Sequence, residues 1–71
     1  MEFKMIEIKV NGDSHKIVQG TDLVSFLVSI GIQSKKVAVE LNREIIPKSH
    51  YQNTILNEND VIEIVHFIGG G

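Results

Sequence analysis

Only one stretch of this chain can form an amphipathic helix, and that restriction leaves a sheet to supply the rest of the fold. Leu23, Phe26, Leu27 and Ile30 recur at i, i+3, i+4 and i+7, while Ser25 and Ser29 fall on the opposite side. Thr21 stands where an N-cap is needed, and Asp22 would complement the positive end of the helix in its first turn. Gly31 follows the last apolar position, where a helix closes through a left-handed residue. A helix with one apolar stripe can cover one face of one sheet.

The strands read from period-two patterns. In Met5-Ile6-Glu7-Ile8-Lys9-Val10 the residues Ile6, Ile8 and Val10 share a face. Asn11-Gly12 then predicts a tight hairpin, because both residue types accept positive φ. The return strand is expected at 15–19 with Ile17 inward. After the helix, Val37, Val39 and Leu41 line one side of a third strand, and Asn42-Arg43 turns the chain into Glu44-Ile45-Ile46. Pro47 cannot donate to a ladder, so that short piece belongs at an edge. Residues 48–53 suggest a helical turn, 54–56 an extended segment, and 57–60 a second turn cluster. The last strand, 61–68, would point Ile62 and Ile64 inward and Glu63, Val65 and Phe67 outward. These elements predict an α+β, ubiquitin-like β-grasp: a mixed sheet of about five strands with one main helix packed on one face. Residues 1–68 are expected to form the domain, and Gly69, Gly70 and Gly71 a flexible tail.

Composition narrows the chemistry. The 71 residues contain no cysteine, which removes disulfides, thiolate metal sites and cysteine nucleophiles, and fits a reducing cytoplasm. A net charge of -2 with interspersed signs gives no footprint for nucleic acid or an anionic membrane. No apolar run reaches the length of a membrane span. His15, His50 and His66 lack ligand spacing, so no metal site is expected. The serines show no nucleophile elbow, the acidic residues are dispersed, and Lys35-Lys36 reads as a solvated pair. Intrinsic catalysis is not expected. The body should be monomeric by itself.

What remains is the ending. Ile68-Gly69-Gly70-Gly71 follows directly on an apolar strand, and glycine passes through spaces too narrow for any other residue. Such a tail presents one reactive group, the carboxylate of Gly71. The hairpin Val10-Asn11-Gly12, the helix from Thr21 to Leu27, the segment from Val37 to Pro47 and the ending from Asp60 to Gly71 together resemble the ThiS family, sulfur carriers of thiamine biosynthesis. The likeness covers nearly the whole chain. Known members end in two glycines, and this chain has three.

The resemblance implies a carrier that binds no cofactor. A ThiF-like adenylating enzyme would consume ATP to activate the Gly71 carboxylate as an acyl-adenylate. A persulfide on another protein would then supply sulfur, giving a terminal thiocarboxylate used by a ThiG-like thiazole synthase. Gly69 and Gly70 would thread into the partner sites. Met5, Val65, Phe67 and Ile68 are expected to form an apolar docking patch at the root of the tail. Two other readings share the fold: a carrier serving molybdopterin synthesis or transfer-RNA thiolation, and a ubiquitin-like binding module with an inert tail.

Overall fold

The computed structural model describes residues 2–67. Met1, Ile68 and the glycines 69–71, with the expected boundary between domain and tail, lie outside them. Five strands form one sheet: β1 (Met5–Val10), β2 (Asp13–Val18), β3 (Val37–Leu41), β4 (Glu44–Ile45) and β5 (Val61–His66). Their spatial order is β2-β1-β5-β3-β4. Only the β1–β5 pair is parallel; the other three pairs are antiparallel. The expected mixed five-stranded sheet is therefore present, with the final strand at its centre.

One helix, α1 (Leu23–Ser29), lies over this sheet. Leu23, Phe26 and Leu27 from the helix meet Ile6, Ile8 and Val10 of β1, Ile17 of β2, Val37 and Val39 of β3, and Ile62 and Ile64 of β5. Tyr51, from the 3₁₀ turn Lys48–Asn53, and Leu56 complete the core. The period-two and period-3.6 patterns both resolve onto this single interior, and no described buried side-chain polar atom lacks a partner.

The helix ends show how local chemistry sets the boundaries. The expected cap, Thr21, does not cap; its hydroxyl donates to the Val18 carbonyl at 2.6 Å. Asp22 takes that role, in an extended conformation, with its carboxylate accepting from Ser25 N at 3.0 Å and Ser25 Oγ at 2.6 Å. A carboxylate is the better acceptor for unpaired helix N–H groups, and it sits three residues before a matching donor. At the other end, Gly31 has φ +79°, Ile32 N donates to Leu27 O and Gly31 N donates to Val28 O. These are the two bonds of a Schellman closure.

Both hairpins have two-residue turns with two left-handed positions. Asn11 and Gly12 have φ of 49° and 88°, and Asn42 and Arg43 have 51° and 72°. Because the first turn has only two residues, Asp13 pairs at once with Val10, so β2 covers residues 13–18 and not 15–19. The edge strand β4 is only two residues long, and Pro47 follows it two positions later. The last strand ends at His66, short of the expected 68.

Asp22 also generates a pH dependence. Its bonds to the Ser25 hydroxyl and then the Ser25 backbone hold its carboxyl below the ordinary value of 3.8. A carboxyl with a lowered folded-state pKa stabilises fully above its unfolded value, and that contribution fades as pH falls through the folded value. Asp22→Ala should therefore lower the thermal midpoint at neutral pH, with the difference from the parent shrinking in acid. Thermal denaturation between about pH 2 and about pH 7 measures it, and a difference independent of pH would contradict this role.

Candidate functional site

The site is the C-terminal end of β5, from which the sequence runs into the glycines. Antiparallel pairing with β3 extends along β5 from Leu41↔Ile62 to Val37↔His66. It carries one bond further, where Phe67 N donates to Lys36 O at 3.0 Å. The strand is thus held on its β3 side to the last described residue.

The expected docking residues do not all meet. Lys9 pairs with Val61 and Val10 with Ile62 in the parallel register. Met5 lies four residues before Lys9, and Val65 lies four residues beyond Val61. That separates them by about eight residues along the sheet, on the order of 26 Å. Met5 instead lines a depression with Glu7, Lys16 and Glu58 at the opposite end of the sheet. Period-two alternation put Met5 and Val65 on one face correctly, but a face says nothing about which end of it a residue occupies. Ile68 lies outside the described residues.

The residue that Val65 does meet is one the sequence reading left without a role. Val65 pairs with Ala38, and Glu40 pairs with both Glu63 and Ile45. Ala38, Glu40, Ile45, Glu63 and Val65 line a shallow hollow of about 240 Å³ on the face away from the helix. Ile45 is 75% exposed and Val65 62% exposed, both large values for aliphatic side chains. Ile45 was legible as an outlying strand residue, and only the β3–β4 register brings it to the hollow that Val65 also lines.

Phe67 occupies a different setting at the rim of the sheet. Its ring lies over the Lys48 ammonium, with Nζ 4.7 Å from the ring centroid. The same Nζ donates to Val37 O at 2.6 Å and to Ser34 O at 3.1 Å, and stands 5.9 Å from the Tyr51 ring centroid. Lys48 thereby links the start of β3, the core tyrosine and the last described residue of the chain. Nothing in the sequence around Lys48 marks it; it follows Pro47 in what reads as a plain turn.

The histidines do not converge. His15 packs edge-on against Phe26 with centroids 5.7 Å apart, a structural contact. Among the described residues no three of His, Cys, Asp and Glu gather where they could hold a metal ion. No helix among them is long and apolar enough to cross a membrane.

This arrangement of sheet, helix and central terminal strand has known counterparts. A thiamine biosynthesis protein (ThiS) from Geobacter metallireducens, solved by crystallography, superposes with a TM-score of 0.80 at 26% identity, covering 93% of this chain and all of that one. The "Sulfur carrier protein ThiS" of Bacillus subtilis is 43% identical over 65 residues, which span 90% of this chain and 98% of that protein. A "Thiazole synthase" of Magnetococcus marinus is 42% identical over 66 residues, 93% of this chain but only 20% of that protein's length.

Lys48→Met keeps the aliphatic stem and removes the ammonium with its two carbonyl bonds. Since the site is exposed, a loss of about 1 kcal/mol is expected in urea denaturation. An unchanged midpoint would show that the ammonium contributes nothing there. The model of the ThiS family matches residues 8–71, nearly the whole chain, and the chain belongs to that family.

Proposed function

We propose that the chain is a sulfur carrier of thiamine biosynthesis that works in the cytoplasm and has no catalytic site of its own. The observation that carries this reading is the placement of β5. The strand that leads into the glycines is the central one, flanked by β1 and β3, so a rigid body stands directly behind a thin tether. The family match and the likeness to a named sulfur carrier support the same reading.

The chemistry assigned to the tail is acyl activation and sulfur transfer. The Gly71 carboxylate attacks the α-phosphate of ATP on a ThiF-like adenylating enzyme, pyrophosphate leaves, and an acyl-adenylate remains. The terminal sulfur of a protein persulfide displaces AMP, forming an acyl persulfide. A thiol then takes the donor's inner sulfur into a disulfide, and the thiocarboxylate is released on Gly71. Gly69 and Gly70 carry no Cβ, so the carbonyl can reach a narrow site without a side-chain clash. Binding of the folded body keeps the tail at high effective concentration there. A ThiG-like thiazole synthase is the acceptor, a role supported by relatives named thiazole synthase that contain a segment like this chain. The present chain spans about a fifth of their length.

The docking face consists of Val65 and the hollow beside it, with Phe67 at the rim. Val65→Asp should raise KM for the adenylating partner about tenfold, whereas Met5→Asp, at the far end of the sheet, should leave it within about twofold. Equal effects of the two changes would remove the hollow from the docking surface.

The carrier reading itself is tested by intact mass. After incubation with ATP, the adenylating partner and a persulfide donor, the chain should gain the mass difference between sulfur and oxygen. Removal of Gly70 and Gly71 should abolish that gain. A chain that never acquires sulfur under these conditions is a binding module and not a carrier.

A further inference from the structure

The two sides of β5 are not held equally. On the β3 side the ladder continues to the end, but on the β1 side it has only the Lys9↔Val61 and Val10↔Ile62 pairs. There β1 turns away at Asn11-Gly12, leaving the second half of β5 without a strand beside it. The side chain of Asn11 fills that gap. Asn11 N donates to Ile62 O at 2.8 Å, Oδ1 accepts from Ile64 N at 2.7 Å, and Nδ2 donates to Ile64 O at 3.2 Å. A carboxamide has the donor and acceptor of a peptide group, so one side chain supplies both bonds of the missing rung. Its aim depends on the left-handed backbone at Asn11, a conformation that asparagine tolerates better than most residues.

The opposite hairpin repeats the device. Asn42, also the first residue of its turn and also left-handed, donates from its backbone N to Val61 O at 2.8 Å and accepts from Val61 N through Oδ1 at 2.9 Å. Its Nδ2 reaches Asp60 Oδ1 at 2.9 Å. One asparagine therefore grips β5 at its start and the other grips it near its end, from opposite flanks.

We propose that Asn11 is a positioning residue for the chemistry at the tail: its carboxamide fixes the register of β5 and so the point from which the glycines depart. This rests on the carrier reading above. Along a strand the N–H and C=O groups of successive residues face alternate neighbours. A slip of one residue would bring Glu63 or Val65, whose groups face β3, opposite the carboxamide. Each such step would also move the origin of the tail by about 3.3 Å, well beyond the misplacement of roughly 1 Å that can cost a hundredfold in rate.

The test uses the full chain with Asn11→Asp, which keeps the turn and one acceptor but sets an oxygen against Ile64 O. Asn11→Gly, which keeps the left-handed turn and has no side chain, replaces it if the first variant does not fold. Amide exchange at Ile64 should quicken about tenfold, with Leu23 and Phe26 in the helix unchanged. With a ThiF-like adenylating enzyme and ATP, kcat should fall about tenfold while KM stays within about twofold. Unchanged exchange at Ile64, or a loss appearing in KM and not in kcat, overturns the positioning role. Failure of the unaltered chain to be adenylated at all overturns the carrier reading first and the positioning role with it.

Discussion

The parallel seam between β1 and β5 joins the beginning of the chain to its end, and every other placement depends on it. Two antiparallel hairpins, β1–β2 and β3–β4, are local and could form separately. What makes them one sheet is β5, which lies between β1 and β3. Closing that seam joins residues far apart in the sequence, such as Lys9 and Val61, and the shared interior must offset the loop-closure entropy. Ile8 and Ile62, both fully buried, sit on either side of the seam. The helix then covers them, and the polar groups along the seam are tied by short bonds such as Lys9 N to Asp60 O and Glu7 N to Glu58 Oε2.

The same seam explains how firmly the last described strand is held. A terminal strand at a sheet edge would fray, because half of its backbone groups face water. Placed in the middle, β5 has a partner on both sides over its first half and β3 over all of it. Lys48 adds a tie at the rim, binding the Val37 carbonyl from below Phe67. The order imposed by the ladder therefore reaches Phe67, the last described residue.

Much of this was legible in the residues because it rests on local rules. The alternation of Ile6, Ile8 and Val10, the stripe of Leu23, Phe26 and Leu27, and the left-handed Gly31 each announce their place through side-chain period or backbone tolerance. The relations that escaped are those between strands distant in sequence. Met5 and Val65 share a face, and only the parallel register shows that they lie at opposite ends of it. Ile45 reaches the hollow that Val65 lines only through two ladders in succession. Asn11 reads as a turn former, and the second use of its carboxamide depends on a strand more than fifty positions later. Thr21 and Asp22 both qualify as caps, and the choice falls to Asp22 because the Thr21 hydroxyl is taken by Val18.

The short β4 has a consequence of its own. A flank of only two residues, followed closely by a proline, offers a neighbouring molecule almost no open ladder to extend. The other flank, β2, exposes Asp13, Ser14 and Lys16, which must be stripped of water before any strand could join there. The sheet is thus poorly suited to growing sideways into fibrils, even though its uncovered face displays bare aliphatic groups. The brevity of one edge and the hydration of the other guard against self-polymerisation while those groups stay uncovered.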